Sequence, residues 1–325
     1  MPTQYHFVFW NLENLFDIEG SPRRDDKVAR AIGSDVKGWT QDLLDRKIGQ
    51  LSSVIRKMND NHGPDLFGFC EVENRYVVDL LVQSLAPLGR NYQVVHHDSP
   101  DKRGIDIAFI YDGNLFEVPE PLVDNVFSHF VLRRTATRDI LQVTFKTKGH
   151  QHEMIVMGNH WPSRSGGEAE SDAYRAMAGE TLAYFHQRTL EVRGDTMPII
   201  AMGDFNDEPF NTSIVDYALG LRLADLVAKG RNPYFLNLMW PLMGKGLGTL
   251  YYNGPNLLDQ ILINKNWLQP TSTFKVKPDS ATIIKFPKMM DKKGQPIPFG
   301  GMGKPVNQNG FSDHFPVEVV VTEAD

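Results

Sequence analysis

The chain has 325 residues, 41% of them hydrophobic and 23% charged, a balance that excludes disorder and suits a well-packed globular protein. A formal net charge of −6 disfavours wholesale adhesion to a polyanion but leaves room for a local cationic cleft and for carboxylates gathered around a metal. The single cysteine, Cys70, rules out an internal disulfide, and no stretch reaches the length of a membrane span. The opening MPTQYHFVFW lacks a basic stretch followed by a long apolar one, so no leader and a cytoplasmic location are expected. No repeat, low-complexity tract or linker interrupts the chain, which predicts a single domain over residues 1–325.

In chain order, residues 5–10 read as a strand. TQDLLDRKIGQLSSVIRKMNDNHGP reads as a helix, with Leu44, Ile48, Leu51, Ile55 and Met58 on one face, Thr40 as its cap and Gly63-Pro64 as its stop. DLFGFCEVEN (65–74) is a buried strand running into acids, and RYVVDLLVQSLAPLG is the next helix. YQVVHH (92–97) and IDIAFIYD (105–112) read as paired strands. Residues 139–160 read as a hairpin turning near Lys148-Gly149, and residues 168–193 as a helix. PIIAM (198–202), LLDQILI (257–263) and FPVEVVV (315–321) supply further strands. Residues 229–256 and 285–310 read as long loops, a sign of function or mobility in a compact domain. Hairpins mixed with helical crossovers predict an α/β sandwich with mixed sheets rather than a doubly wound parallel sheet.

The strand-like runs end on polar residues of a particular kind. The first stops at Asn11 and Glu13, the second at Glu71, the 153–160 run at Asn159-His160, and the 198–202 run at Asp204 and Asn206. Asp259 heads another strand, and Ser312-Asp313-His314 precedes the last. Taken singly, each is a common turn or surface residue. Strand ends on one rim of a sandwich converge, so jointly they predict one pocket.

In that order, WNLEN, FCEVEN, GNHWPS, GDFND, LDQILI and SDHFPV resemble the endonuclease/exonuclease/phosphatase superfamily, across residues 11 to 316. The resemblance implies a four-layer α/β/β/α sandwich with its site at one rim. It implies a divalent metal at Glu71, Asn11, Glu13 and Asp313. Asp204 would position or deprotonate the attacking water, with Asn206 holding phosphate or water. His314 paired with Asp259, and His160 as a second histidine, complete the implied catalytic set. Abasic-site endonucleases carry a tyrosine near the place of His160, a departure that weakens that assignment.

This set suits phosphodiester hydrolysis. A phosphodiester repels nucleophiles and has a poor leaving group, so it needs charge neutralisation, an oriented water and donors for growing charge. Oxygen ligands without clustered cysteine or histidine suit Mg²⁺ or Mn²⁺ rather than zinc. Asn159, Arg164, Arg103 and Arg175 lie next to the motifs and are expected to contact substrate phosphate. Trp240, Tyr251 and Tyr252 are candidates for base stacking. The reading reached is a Mg²⁺/Mn²⁺-dependent nuclease of low sequence specificity, with nucleic acid as partner and DNA ahead of RNA. A small-molecule or lipid phosphoester hydrolase is the alternative, and a catalytically inactive binding module the third.

Overall fold

The computed structural model describes residues 3–101, 103–131, 138–164 and 167–324. Strand β1 (Thr3–Leu15) runs past the expected end at residue 10, because the chain bulges and then rejoins its neighbour: the register shifts between Asn11 and Leu15. Helix α1 (Gln41–Ile55) starts on Thr40, whose hydroxyl accepts the Leu43 N–H. It buries Leu44, Ile48, Leu51 and Ile55. It stops well short of Gly63, because Asn59, Asp60 and Asn61 take left-handed φ values of 48°, 50° and 69°. Strand β2 (Leu66–Val72) leads into helix α2 (Arg75–Ser84), capped by Asn74. Strands β3 (Tyr92–His96) and β4 (Asp106–Asp112) pair antiparallel, as do β5 (Ile140–Thr147) and β6 (Glu153–His160). The long helix α3 (Glu168–Arg193) follows, then β7 (Ile199–Asp204), β8 (Asp259–Asn264) and β9 (Val317–Glu323).

Two large mixed sheets result. In the first the order is β9-β1-β2-β4-β3, extended past β9 by Phe274–Val276; β1 and β2 run parallel and the other pairs antiparallel. In the second the order is β8-β7-β6-β5, with β6 and β7 parallel, and short strands on both flanks. Alternation along each strand sends one set of side chains inward and the other outward. Phe7, Phe9 and Phe109 of the first sheet meet Phe145, Val156, Met202 and Ile261 of the second in a shared apolar layer. The outer face of the first sheet, with Val8, Trp10, Phe67 and Phe69, is covered by α1 and α2. The outer face of the second, with Ile155, Met157 and Ile199, is covered by α3. The sequence of layers is therefore α/β/β/α.

The stretch expected as a loop at 229–256 contains a strand, Phe235–Asn237, paired with β8, and a small hairpin, Leu250–Tyr251 with Pro255–Asn256. The 285–310 stretch is irregular but anchored. Phe299 is fully buried against Trp39, and its backbone N–H donates to Glu13 Oε2 at 2.7 Å.

Candidate active site

Strand register sets one row of the site. β6 and β7 place His160 beside Asp204, and β7 and β8 place Asp204 beside Asp259. All three side chains are at least nine-tenths buried. The facing sheet contributes the ends of β1 and β2 and the approach to β9. Trp10 Nε1 donates to the His314 carbonyl, and the Ser312 hydroxyl donates to the Asn11 carbonyl while accepting the His314 N–H. These bonds bring His314 across to the acids of the second sheet.

His314 Nδ1 lies 2.7 Å from Asp259 Oδ2, and its Nε2 lies 3.9 Å from Asp204 Oδ2. Burial opposes its charge, but Asp259 and Asp204 together raise its pKa well above the ordinary histidine value, so the imidazolium is favoured. Asp204 is pushed up to about 6, chiefly by burial and by the Asp259 charge, while His314 and the Asn11 amide pull it back. Its Oδ1 accepts the Asn206 N–H at 2.9 Å, an Asx-type turn that holds the acid at the strand tip. Asn206 also donates to the Trp161 carbonyl at 2.9 Å and takes a left-handed φ of 51°. His160 is driven the other way. Burial, with Arg138, Arg103 and His314 nearby, lowers its pKa well below the ordinary value and keeps it neutral.

Glu71 sits at the break in β2, with φ 65°, and β-bulges of this kind re-aim side chains at functional rims. Its Oε2 accepts the Asn14 N–H at 2.9 Å. Its Oε1 lies 3.4 Å from Asn11 Nδ2 and 3.5 Å from His160 Nε2. The Asn11 amide also donates to Asp204 at 3.0 Å, while its oxygen accepts the Glu13 N–H. Asn11 thus presents its amino group between the two acids, with its oxygen turned to the β1 bulge. Asp313 is half-buried, with Lys304 Nζ 3.9 Å from its carboxylate.

Four of the expected site residues are engaged by the protein's own groups. Glu13 is turned to the 285–310 segment: its two oxygens accept the Phe299 and Gly300 N–H groups, and Lys47 donates to its carbonyl beneath. Burial and the Asp313 charge push its pKa up to about 7. Asn159 is fully buried and its carboxamide bridges the Met157 carbonyl and Trp161 Nε1. Arg164 braces the turn after β7 through the Asn206 carbonyl, Asp207 and Asn211. Arg175, with 0% exposure, pairs with Asp207 at 2.8 Å and with Asp172. Arg103 is exposed, on the turn before β4. Sequence reasoning passed over Lys47, fully buried under Glu13, and Arg138, buried beside His160; neither lies in a motif.

Among the described residues, two groups bring three ligand-type side chains together: Asp204, Asp259 and His314, and separately His96, Asp98 and Asp106. The first is held as a hydrogen-bonded histidine–carboxylate pair. Glu71 joins neither group.

The chain resembles solved structures throughout its length. The human Nocturnin catalytic domain with bound sulfate is 16% identical with a TM-score of 0.60, covering 100% of this chain and 96% of that one. ANGEL2, described as a 2',3'-cyclic phosphatase and bound to adenosine-2',3'-vanadate, is 12% identical with a TM-score of 0.62, covering 99% and 96%. A mannosyl-6-phosphatase of Bacteroides thetaiotaomicron is 16% identical with a TM-score of 0.55, covering 98% and 99%. No curated protein sequence matches. No helix among the described residues is long and apolar enough to cross a membrane. The family model for the endonuclease/exonuclease/phosphatase family matches residues 6–323, and the chain belongs to that family of phosphoester hydrolases.

Proposed function

We propose that the protein hydrolyses phosphodiester bonds in nucleic acid, with Mg²⁺ or Mn²⁺ as cofactor. The observation that carries this reading is the His160–Asp204–Asp259 row facing His314 and Glu71 across the sandwich rim. Glu71 and Asp313 offer half-buried hard oxygen donors, and so fit a divalent cation. A bound cation would neutralise charge on the phosphoryl oxygens and the leaving alkoxide.

The protein's own groups then divide the work. Asp204, with a pKa near 6, is ionised at neutral pH and is placed to orient water and accept its proton. His314, held cationic by Asp259, donates to a phosphoryl oxygen as charge grows there. Neutral His160 places its Nε2 between Glu71 and Asp204, 3.5 and 3.8 Å from their carboxylates. Asn206 holds the turn that aims Asp204.

An exposed aromatic favours nucleic acid over a small phosphoester. Tyr252, 73% exposed, tips the hairpin that starts at Thr249. Thr249 Oγ1 accepts the Asp259 N–H, and its carbonyl accepts the Phe315 N–H, so the hairpin rises beside both catalytic partners. Stacking on such a ring is worth about 1–3 kcal/mol per base. ANGEL2, bound to an adenosine vanadate, agrees with a nucleotide substrate, whereas the mannosyl-6-phosphatase takes a sugar phosphate on the same fold.

The test is the purified protein on plasmid, single-stranded DNA, RNA, a sugar phosphate and a lipid phosphodiester, each with Mg²⁺, Mn²⁺ or EDTA. Metal-dependent cleavage of a nucleic acid is expected. Turnover confined to the sugar phosphate or lipid would reject the nucleic-acid assignment.

A further inference from the structure

Arg138 stands two residues ahead of β5 and is only 7% exposed. Buried guanidinium N–H groups are ordinarily taken up by carboxylates or carbonyls. Among the described residues, Nε and Nη2 find no hydrogen-bond partner. One acid among the described residues pairs with them: Asp101 Oδ2 lies 3.4 Å from Nε, and its Oδ1 already accepts the Arg103 N–H at 2.8 Å. A long ion pair with one carboxylate leaves most of the planar fork of donors unused.

Topology says what that fork faces. β5 runs antiparallel to β6 with Leu141 opposite Gly158, so residues entering β5 lie beside those leaving β6, where His160 stands. β4 runs antiparallel to β2 with Asp106 opposite Val72, so Asp101 and Arg103 lie beside the end of β2, where Glu71 stands. Arg138 and Arg103 therefore come from two neighbouring strand entrances to one mouth, bounded by Glu71 and His160. The charges of Arg138 and Arg103 depress His160, and that of Glu71 supports Arg138 against its burial.

We propose that Arg138 is a substrate-contacting residue, whose unpaired guanidinium edge binds a non-bridging phosphoryl oxygen at the Glu71–His160 mouth, with exposed Arg103 flanking it. This rests on the phosphoester reading of the site, but not on the substrate being nucleic acid. The buried position keeps water from competing for the fork, and the lack of full protein partners leaves its donors for the ligand.

The test measures binding of inorganic phosphate to the full-length protein by calorimetry at fixed Mg²⁺, with thermal melting alongside. The wild type is expected to bind phosphate, and Arg138→Met to weaken it about tenfold or more, the scale of a charge-assisted bidentate contact. Arg138→Lys keeps the charge but loses the fork. It should melt with the wild type and still bind phosphate more weakly. Equal affinity in Arg138→Lys and wild type, or no phosphate binding by the wild type, would overturn the proposal. So would a lower melting temperature in Arg138→Met with unchanged phosphate affinity, which marks a purely structural arginine. Cleavage of nucleic acid does not enter this readout, so a failed nuclease assay leaves the phosphate result intact.

Discussion

The Asp259–His314 pair offers the most direct handle on the site. Asp259→Asn keeps the shape and removes one charge. At the observed 2.7 Å, two unit charges in an effective dielectric near 20 attract by about 6 kcal/mol before desolvation is counted. Desolvation offsets much of that, and about 1.5–3 kcal/mol is the usual net value of a hydrogen bond to a charged group. At 1.36 kcal/mol per unit, His314 should lose about one to two pKa units. The direction is secure: Asp259 supplies two of the influences that raise His314, and its removal leaves burial opposed mainly by Asp204. Because the folded pKa of His314 is raised, its stabilisation is fully present below about pH 6.5 and is lost as pH rises through the folded value. That loss should move to lower pH in Asp259→Asn. The assay is an NMR titration of the His314 ring in the full-length protein, run beside kcat/KM on a chromogenic phosphodiester. Expected results are a downward-shifted titration and a rate loss of about 10–100-fold. A His314 that titrates identically in wild type and variant would refute the imidazolium argument.

Glu71→Gln should weaken Mg²⁺ binding measured by calorimetry, whereas Glu13→Gln should leave both it and stability near wild type, because burial holds the Glu13 carboxyl up to about 7 and a neutral amide oxygen can still accept a backbone N–H. Activity should climb with pH along a limb near 6, as Asp204 passes from acid to base; Asp204→Asn should abolish turnover without losing stability, since this carboxyl is held above its ordinary value. A pH profile flat from 5 to 8 (roughly the range around this pKa) would count against Asp204 as base. Arg175→Ala should cost about 1–3 kcal/mol in chemical denaturation, because buried Asp207 loses one of its two arginine partners and keeps Arg164; a variant as stable as wild type, but with weak substrate binding, would return Arg175 to a phosphate role.

Much of this architecture was legible because it rests on period and punctuation. The α1 face, the Thr40 cap and the β5–β6 hairpin follow from spacing and turn residues alone. The long β1 was not legible, because its second half is bulge rather than alternation, with Glu13 and Asn14 at φ 51° and 60°. Nor was the early end of α1: nothing in RKMNDN forbids another turn of helix, and only the left-handed Asn59–Asn61 run breaks it. The short strands around 235 and 250 lack the length to show a period at all.

The inward engagement of Asn159 follows from strand geometry. Asn159 and His160 are adjacent in β6, and adjacent residues in a strand point to opposite faces. If His160 faces the site, Asn159 cannot; it faces Trp161, two residues on, and bonds to it. The same alternation explains Gly203 beside Asp204: a Cβ there would come within 2.2 Å of the Asn159 carbonyl oxygen in the neighbouring strand. Arg164 and Arg175 are engaged for a different reason. Both converge on Asp207, the last residue of GDFND, so proximity to a motif identified partners of its scaffold rather than of its ligand. Arg138 inverts the case. It belongs to no motif, and only the coordinates reveal a buried cation short of partners beside His160. In a site built from strand ends, then, a motif locates the rim, while the balance of donors and acceptors around each buried charge separates groups that hold the rim together from groups left over for a substrate.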